Sequence, residues 1–259
     1  MKSVASRDNP LVRHIAKLAG SGRAREDAGE TILDGPHLVR AALDEGVLPR
    51  TLVVAESRRA DAEIGTLLAR VDTKSCILVP DALLKSLSPV AHPTGVLAVI
   101  AVPRARPPSG PRFAVLLEDI QDPGNVGSIL RSAAAAGAVV AWLSAACADP
   151  WSPKVLRAGM GAQFALPVVH PADLAAVAGG FPGDLVVTVV DPSAEDVFRA
   201  SLAPPLACIF GNEGAGVSPP LAALGTRRVR IPMAGPVESL GVAAAAAVTL
   251  FEIRRRVSS

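Results

Sequence analysis

Between residues 113 and 231 the chain carries six short apolar runs, at 113–117, 139–143, 166–169, 185–190, 206–210 and 228–231, and most are apolar at every position rather than at alternate ones. A strand with no polar face cannot lie against water on either side. It has to be covered above and below, as strands of a parallel sheet are when helices return the chain between them. Stretches of helical character at about 125–137, 153–160, 172–178, 218–224 and 239–256 fill the gaps between the runs. The last of these contains five consecutive alanines at 243–247, small enough for a helix to approach a neighbouring backbone closely.

The N-terminal part mixes the same two signals. Residues 10–19 read as a helix with Pro10 in its first turn, and 36–45 as a helix ended by Gly46. Residues 60–70 and 81–87 are also helical, the latter with Asp81 as its cap. Short apolar or β-branched runs at 31–33, 51–55, 76–79 and 96–102 read as strands. Four prolines fall between 103 and 111, where neither a helix nor a central strand tolerates them. This divides the chain into an α/β/α sandwich over 1–103, a Pro-rich linker over 104–111 and a parallel α/β domain over 112–259.

Composition excludes several classes. Half of the residues are hydrophobic and 19% are charged, which suits a packed core and argues against disorder. No apolar run reaches about 18 residues, and the N-terminus has no apolar segment of the kind a secretion signal needs. The expectation is a cytoplasmic protein without a membrane span. Cys76, Cys147 and Cys208 are far apart and fit reduced, buried thiols. No Cys or His spacing suggests a metal site.

The net charge is only +2, but it is unevenly spread. Lys2, Arg7, Arg13, Lys17, Arg23 and Arg25 face Asp8 alone in the first 25 residues, and Arg254-Arg255-Arg256 lie near the C-terminus. Such clusters serve either as phosphate-binding patches or as solvated helix faces. Tyrosine is absent and aromatics are 3%, so a surface that stacks unpaired bases is not expected. An RNA partner would be held through its backbone and shape.

Three polar islands follow apolar runs in the second part. The first, at 117–131, contains Asp122-Pro123-Gly124-Asn125 and Arg131. Asn125 is either a helix cap or a functional amide. Arg131, set among Leu130, Ser132 and Ala133, requires an anionic or acceptor partner. The second island, Gly211-Asn212-Glu213-Gly214-Ala215-Gly216, leaves backbone N–H groups open to a ligand. It lacks the dinucleotide spacing, and Glu213 sits where it would repel a phosphate. The third runs from Ile231-Pro232-Met233 to Glu238-Ser239-Leu240-Gly241. There Ser239 is either an N-cap or a functional hydroxyl, and Met233 and Leu240 offer apolar faces to an adenine-like ring.

Together the islands resemble the SpoU (TrmH-type) branch of the SPOUT methyltransferases. The similarity is carried by D-P-G-N-V-G-S-I-L-R-S-A, F-G-N-E-G-A-G-V-S and I-P-M-A-G-P-V-E-S-L-G-V-A-A-A, in order across 112–259. The first part is similar to that family's L30e-like substrate-binding domain through S-R-D-N-P-L-V-R-H-I-A-K-L, L-D-G-P-H-L-V-R-A-A-L and T-G-V-L-A-V. The resemblance implies an α/β trefoil-knot catalytic domain, a homodimer, and transfer of a methyl group from S-adenosylmethionine to an RNA ribose 2′-hydroxyl. Ribosomal RNA is the expected target class, ahead of transfer RNA.

By the same resemblance Asn125, Arg131, Glu213 and Ser239 match the catalytic positions, with Glu213 orienting Asn125 or Arg131. Gly211, Gly214, Ile231, Met233 and Leu240 match positions that hold the cofactor. Arg7, Arg13 and Lys17 are the candidate RNA contacts, and no metal is implied. One position departs from the pattern. The family usually has S-L-N-V, and Gly241 stands here in place of that asparagine. This opens a second reading, an RNA-binding protein on the same scaffold with weak or no transferase activity.

Overall fold

The computed structural model describes residues 1–90 and 92–257, with Val257 described in its backbone alone. The chain forms two compact units. The first comprises Met1–Arg104 together with Trp151–Phe164; the second comprises Ala105–Pro150 and the residues from Ala165 onward.

The first unit runs β1 (Lys2–Ser3), α1 (Pro10–Gly20), α2 (Gly22–Ala28), β2 (Glu30–Asp34), α3 (Pro36–Asp44), β3 (Thr51–Ala55), α4 (Ala62–Leu68), β4 (Cys76–Val79), α5 (Asp81–Leu87) and β5 (Val96–Ala101). Its sheet has the order β1-β4-β3-β5-β2, with β5 antiparallel to both its neighbours. The pleat sends alternate side chains to opposite faces. Ile32, Val53, Ile77 and Leu97 pack with Val12, Ile15 and Leu18 of α1 and with Leu84 and Leu87 of α5. Leu33, Leu52, Val54, Leu78 and Ala98 pack with α3 and α4 on the other face. Asn9 caps α1 by accepting from the N–H of Leu11 at 2.9 Å, with Pro10 in the first turn. Asp81 does not cap α5 as its position suggested. It is already helical, and its carboxylate accepts from the N–H and hydroxyl of Ser57.

The second unit contains β6 (Phe113–Leu117), α6 (Pro123–Ala136) and β7 (Val140–Leu143). The chain then contributes α7 (Pro153–Gly159) to the first unit, passes through the short α8 (Ala162–Ala165), and continues. The remaining elements are β8 (Val168–Val169), α9 (Leu174–Gly179), β9 (Asp184–Thr188), β10 (Glu195–Asp196), β11 (Leu206–Phe210), α10 (Pro219–Ala222), β12 (Arg227–Arg230) and α11 (Val242–Val257). The sheet order is β10-β12-β9-β11-β6-β7-β8, and every pairing is parallel. Strands β6 and β11 are fully buried, as their uninterrupted apolar character requires. α11 packs on α6, with Ala246, Leu250 and Ile253 buried.

The excursion at 151–164 departs from the division drawn at the linker. Trp151, Leu156 and Phe164 join the α3/α4 side of the first unit's core. The hydroxyl of Thr31 donates to the carbonyl of Trp151 at 2.6 Å. Periodicity shows that α7 is a helix but not which sheet it covers. Among the described residues no helix is long and apolar enough to cross a membrane.

Candidate active site

Because all seven strands of the second unit are parallel, their carboxyl ends share one edge, and loops leaving that edge are where open α/β sheets bind ligands. The three islands leave from β6, β11 and β12, while β11 lies between β6 and β9. A cavity of about 420 Å³ opens there. Its wall includes Gly211, Gly214, Ile231, Met233 and Leu240, together with Glu213 and Ser239. Thr188 at the end of β9, Val190 beyond it, Asn212, and Thr249 on α11 also line it and were not singled out from the sequence.

The first two islands are tied together by side chains. Asn212 donates Nδ2 to the carbonyl of Asp119 at 2.8 Å, and its Oδ1 accepts from the N–H groups of Gly214 and Ala215 at 2.9 and 3.0 Å. Glu118 accepts from the N–H and Oγ of Ser218 at 2.7 and 2.6 Å. Asp119 has a φ of 55°, unusual for a residue with a Cβ. Ser144 holds it, donating Oγ to the Asp119 carboxylate at 2.6 Å and accepting from its N–H at 2.8 Å. Gly211 is required by closeness: a Cβ there would lie 2.2 Å from backbone atoms of Gly216 and Val217.

Glu213 reaches across to the first island. Its Oε1 accepts from Nδ2 of Asn125 at 3.0 Å and from the N–H of Asp122 at 3.1 Å, and its Oε2 from the N–H of Gln121 at 3.3 Å. Partial burial pushes the Glu213 carboxyl up, but the donors, led by Asn125, prevail and hold it below the usual carboxylate range. It is therefore ionised near neutrality and is a weak proton acceptor.

Several residues sit differently from their sequence expectation. Asn125 is not the cap of α6. Asp122 is, accepting from the N–H of Asn125 at 2.8 Å, which frees the Asn125 amide for Glu213. Ser239 is not an N-cap either, because α11 begins at Val242 and Ser239 is exposed at the cavity mouth. Glu213 contacts Asn125 and not Arg131. Arg131 is exposed rather than enclosed by apolar neighbours, and no hydrogen bond or ion pair holds it among the described residues. Six residues along α6 place it about 9 Å and about 120° from Asn125.

The basic clusters also divide. Arg7, Arg13 and Lys17 are exposed, the last two one turn apart on α1. Arg25 is buried and donates to the carbonyl of Leu18 at 3.0 Å. Arg255 and Arg256 both clasp Glu252, at 2.8 and 2.6 Å, and Arg256 also donates to the carbonyls of Ala200 and Phe198. These are structural clamps. Burial pushes the thiols of Cys147 and Cys208 up, so neither is an activated nucleophile. Among the described residues no group of three or more His, Cys, Asp or Glu could hold a metal ion.

Comparison with known proteins supplies the family. The SpoU rRNA methylase family pattern matches residues 112–251, more than half of the chain. The chain belongs to the SpoU rRNA methylase family. Residues 9–98 match an MRM3-like substrate-binding domain. An uncharacterized tRNA/rRNA methyltransferase of Synechocystis is 35% identical over 259 residues, covering 98% of this chain and 94% of that protein. A 23S rRNA (uridine(2479)-2′-O)-methyltransferase of Streptomyces viridochromogenes is 34% identical over 255 residues, covering 93% and 88%. The SpoU methyltransferase AviRb from the same organism, solved with its cofactor AdoMet, superposes with a TM-score of 0.82 at 32% identity, covering 96% of this chain and 98% of that one. The α/β fold with a parallel sheet is thus the one that SPOUT methyltransferases share.

Proposed function

We propose that this SpoU-family protein transfers a methyl group from S-adenosylmethionine to a ribose 2′-hydroxyl of ribosomal RNA, acting as a cytoplasmic homodimer without a metal. The observation that carries the reading is one cavity walled by the second and third islands, with the Asn125–Glu213 bridge joining the first island to its rim.

The residues present fit the cofactor. Apolar side chains of Val189, Ile231, Met233 and Leu240 line a space whose rim carries Glu213 and Glu238. A buried hydroxyl without a partner among the described residues, Thr249 Oγ1, lies on its wall. When bound, S-adenosylmethionine supplies a methyl carbon already activated by its sulfonium. The protein's part is alignment, since a ribose hydroxyl is a poor nucleophile that gains most from being held in place. Glu213 fixes the Asn125 amide. Arg131, exposed and without a hydrogen bond or ion pair among the described residues, would meet a phosphate or the 2′-oxygen, and a guanidinium is too hard to deprotonate to serve as the base. Ser239 and Gly214 complete the rim. Arg13 and Lys17 on α1, with Arg7 just ahead of that helix, form the RNA-contacting face.

Gly241, the observation that favoured a binding-only protein, has a local explanation. Its carbonyl accepts from the N–H of Ala245 at 3.0 Å, which makes it the N-cap of α11. At that position glycine is only a few tenths of a kcal/mol worse than asparagine. A Cβ there would meet nothing within 4 Å, so no packing depends on the lost side chain.

Calorimetric titration with S-adenosylmethionine, paired with mapping of 2′-O-methyl sites in RNA from cells with and without the gene, tests the proposal. Micromolar binding and a missing ribosomal RNA mark are expected. No binding at millimolar cofactor would leave the binding-only reading in place.

A further inference from the structure

Two threonines stand in the cavity wall. Thr188, ending β9, donates its hydroxyl to the carbonyl of Ile209 at 3.1 Å. Thr249 has no such outlet. It is fully buried, and among the described residues its Oγ1 has no hydrogen-bond partner. Native proteins leave few enclosed polar groups unsatisfied, because each forfeits its hydration without return.

Its position explains what it waits for. Val242, Ala245 and Thr249, at i, i+3 and i+7, are the face that α11 turns to the cavity. Thr249 and its fellow wall residue Val229 are buried, whereas Glu213, Glu238 and Ser239 are exposed. The cavity's charged groups are Glu213 and Glu238 at its open rim and the half-buried Arg230, whereas the buried wall at Val229 and Thr249 is uncharged. A sulfonium, an ammonium or a carboxylate set against Val229 and Thr249 would lose its hydration there, whereas Glu213, Glu238 and Arg230 offer counter-charges elsewhere in the cavity. A nucleobase edge carries neutral ring nitrogens and an amine, and a hydroxyl, being both donor and acceptor, can pair with either kind of group.

We propose that Thr249 Oγ1 recognises the nucleobase end of the bound cofactor and is the side-chain hydrogen bond at the cavity floor. The inference rests on the S-adenosylmethionine reading and adds to it a residue outside all three islands.

The test is calorimetric titration of the full-length protein with S-adenosylmethionine and with 5′-methylthioadenosine, which lacks the amino-acid end. The variants are Thr249→Val, which keeps the shape and removes the hydroxyl, and Thr249→Ser, which keeps the hydroxyl. Thr249→Val is expected to weaken both ligands about three- to tenfold, the range of one neutral hydrogen bond. Thr249→Ser should stay within about twofold of wild type by the same measure. The unliganded Thr249→Val protein should melt no lower than wild type, since it loses only an unsatisfied group.

Unchanged affinity of Thr249→Val for both ligands overturns the proposal. Weakening confined to S-adenosylmethionine overturns the nucleobase assignment, and a lower melting point without ligand shows that the hydroxyl is structural. If wild type binds neither ligand, the cofactor reading itself fails, an outcome distinct from the others.

Discussion

Replacing Glu213 separates positioning from charge. The carboxylate takes three donors, two on Oε1 at 3.0 and 3.1 Å and one on Oε2 at 3.3 Å. Glutamine in the same rotamer keeps a carbonyl oxygen at the first position and with it the two shorter bonds. Its amide then faces the N–H of Gln121, and only the longest bond is broken. A hydrogen bond to a charged group contributes about 1.5–3 kcal/mol and a neutral one about 0.5–1.5; the lower ends apply at a rim open to water. Glu213→Gln should therefore lose about 1 kcal/mol of alignment and less than about tenfold in turnover. Glu213→Ala releases Asn125 altogether, loses about 1.5 kcal/mol or more, and should slow transfer about 13-fold or more. Single-turnover transfer of a labelled methyl group to an rRNA fragment reads both, with cofactor affinity measured separately. If the glutamine variant is as slow as the alanine variant, the negative charge itself is what the reaction uses, and positioning by Glu213 is refuted as its role.

Arg131→Ala should abolish transfer while leaving cofactor affinity and the melting temperature near wild type, because no partner among the described residues depends on it; normal turnover would remove Arg131 from the mechanism. Joint replacement of Arg7, Arg13 and Lys17 by glutamine should weaken RNA binding and lower the slope of log affinity against log salt by about 0.7–0.9 for each phosphate no longer neutralised. An unchanged slope would place the RNA elsewhere. The hydrogen bond from Arg255, aided by Arg256, holds the Glu252 carboxyl down to about 2, against an ordinary 4.5. A depressed carboxyl stabilises the fold fully above its unfolded value and loses that contribution as pH falls through its folded one. Glu252→Gln should thus be less stable than wild type in urea at pH 7, with the gap closing between pH 4.5 and 2; a gap independent of pH would refute the clamp.

What could be read from the chain beforehand followed from local physics. β6 and β11 begin and end where their apolar runs do, because a strand covered on both faces leaves no polar residue to blur its ends. The common edge of the islands follows from the same fact, since parallel strands align their carboxyl ends. Pairings across long separations were not legible. Nothing near Ser144 announces that it holds Asp119, 25 residues earlier, in a left-handed conformation. Asn125 and Asp122 compete as caps three residues apart, and both have suitable side chains; the geometry of the turn decides for Asp122. Thr249 sits in an alanine-rich helix where a threonine carries no local signal. Arg255 and Arg256 pair with Glu252 at helical spacing, but nothing local announces that the fold brings the 197–200 segment against Arg256.

The loan of Trp151–Phe164 to the first unit sets a timetable for synthesis. When residue 104 has been made, the sheet of that unit has all five strands, but the side that will receive Trp151, Leu156 and Phe164 is still bare. Another 60 residues must be translated, about 3–12 s at ordinary rates. During that interval the nascent protein displays an apolar surface that its own later sequence will cover. A ribosome stalled between residues 104 and 150 would therefore hold an incomplete, adhesive intermediate rather than a finished domain, and a gene cut at the proline-rich linker would encode the same intermediate permanently.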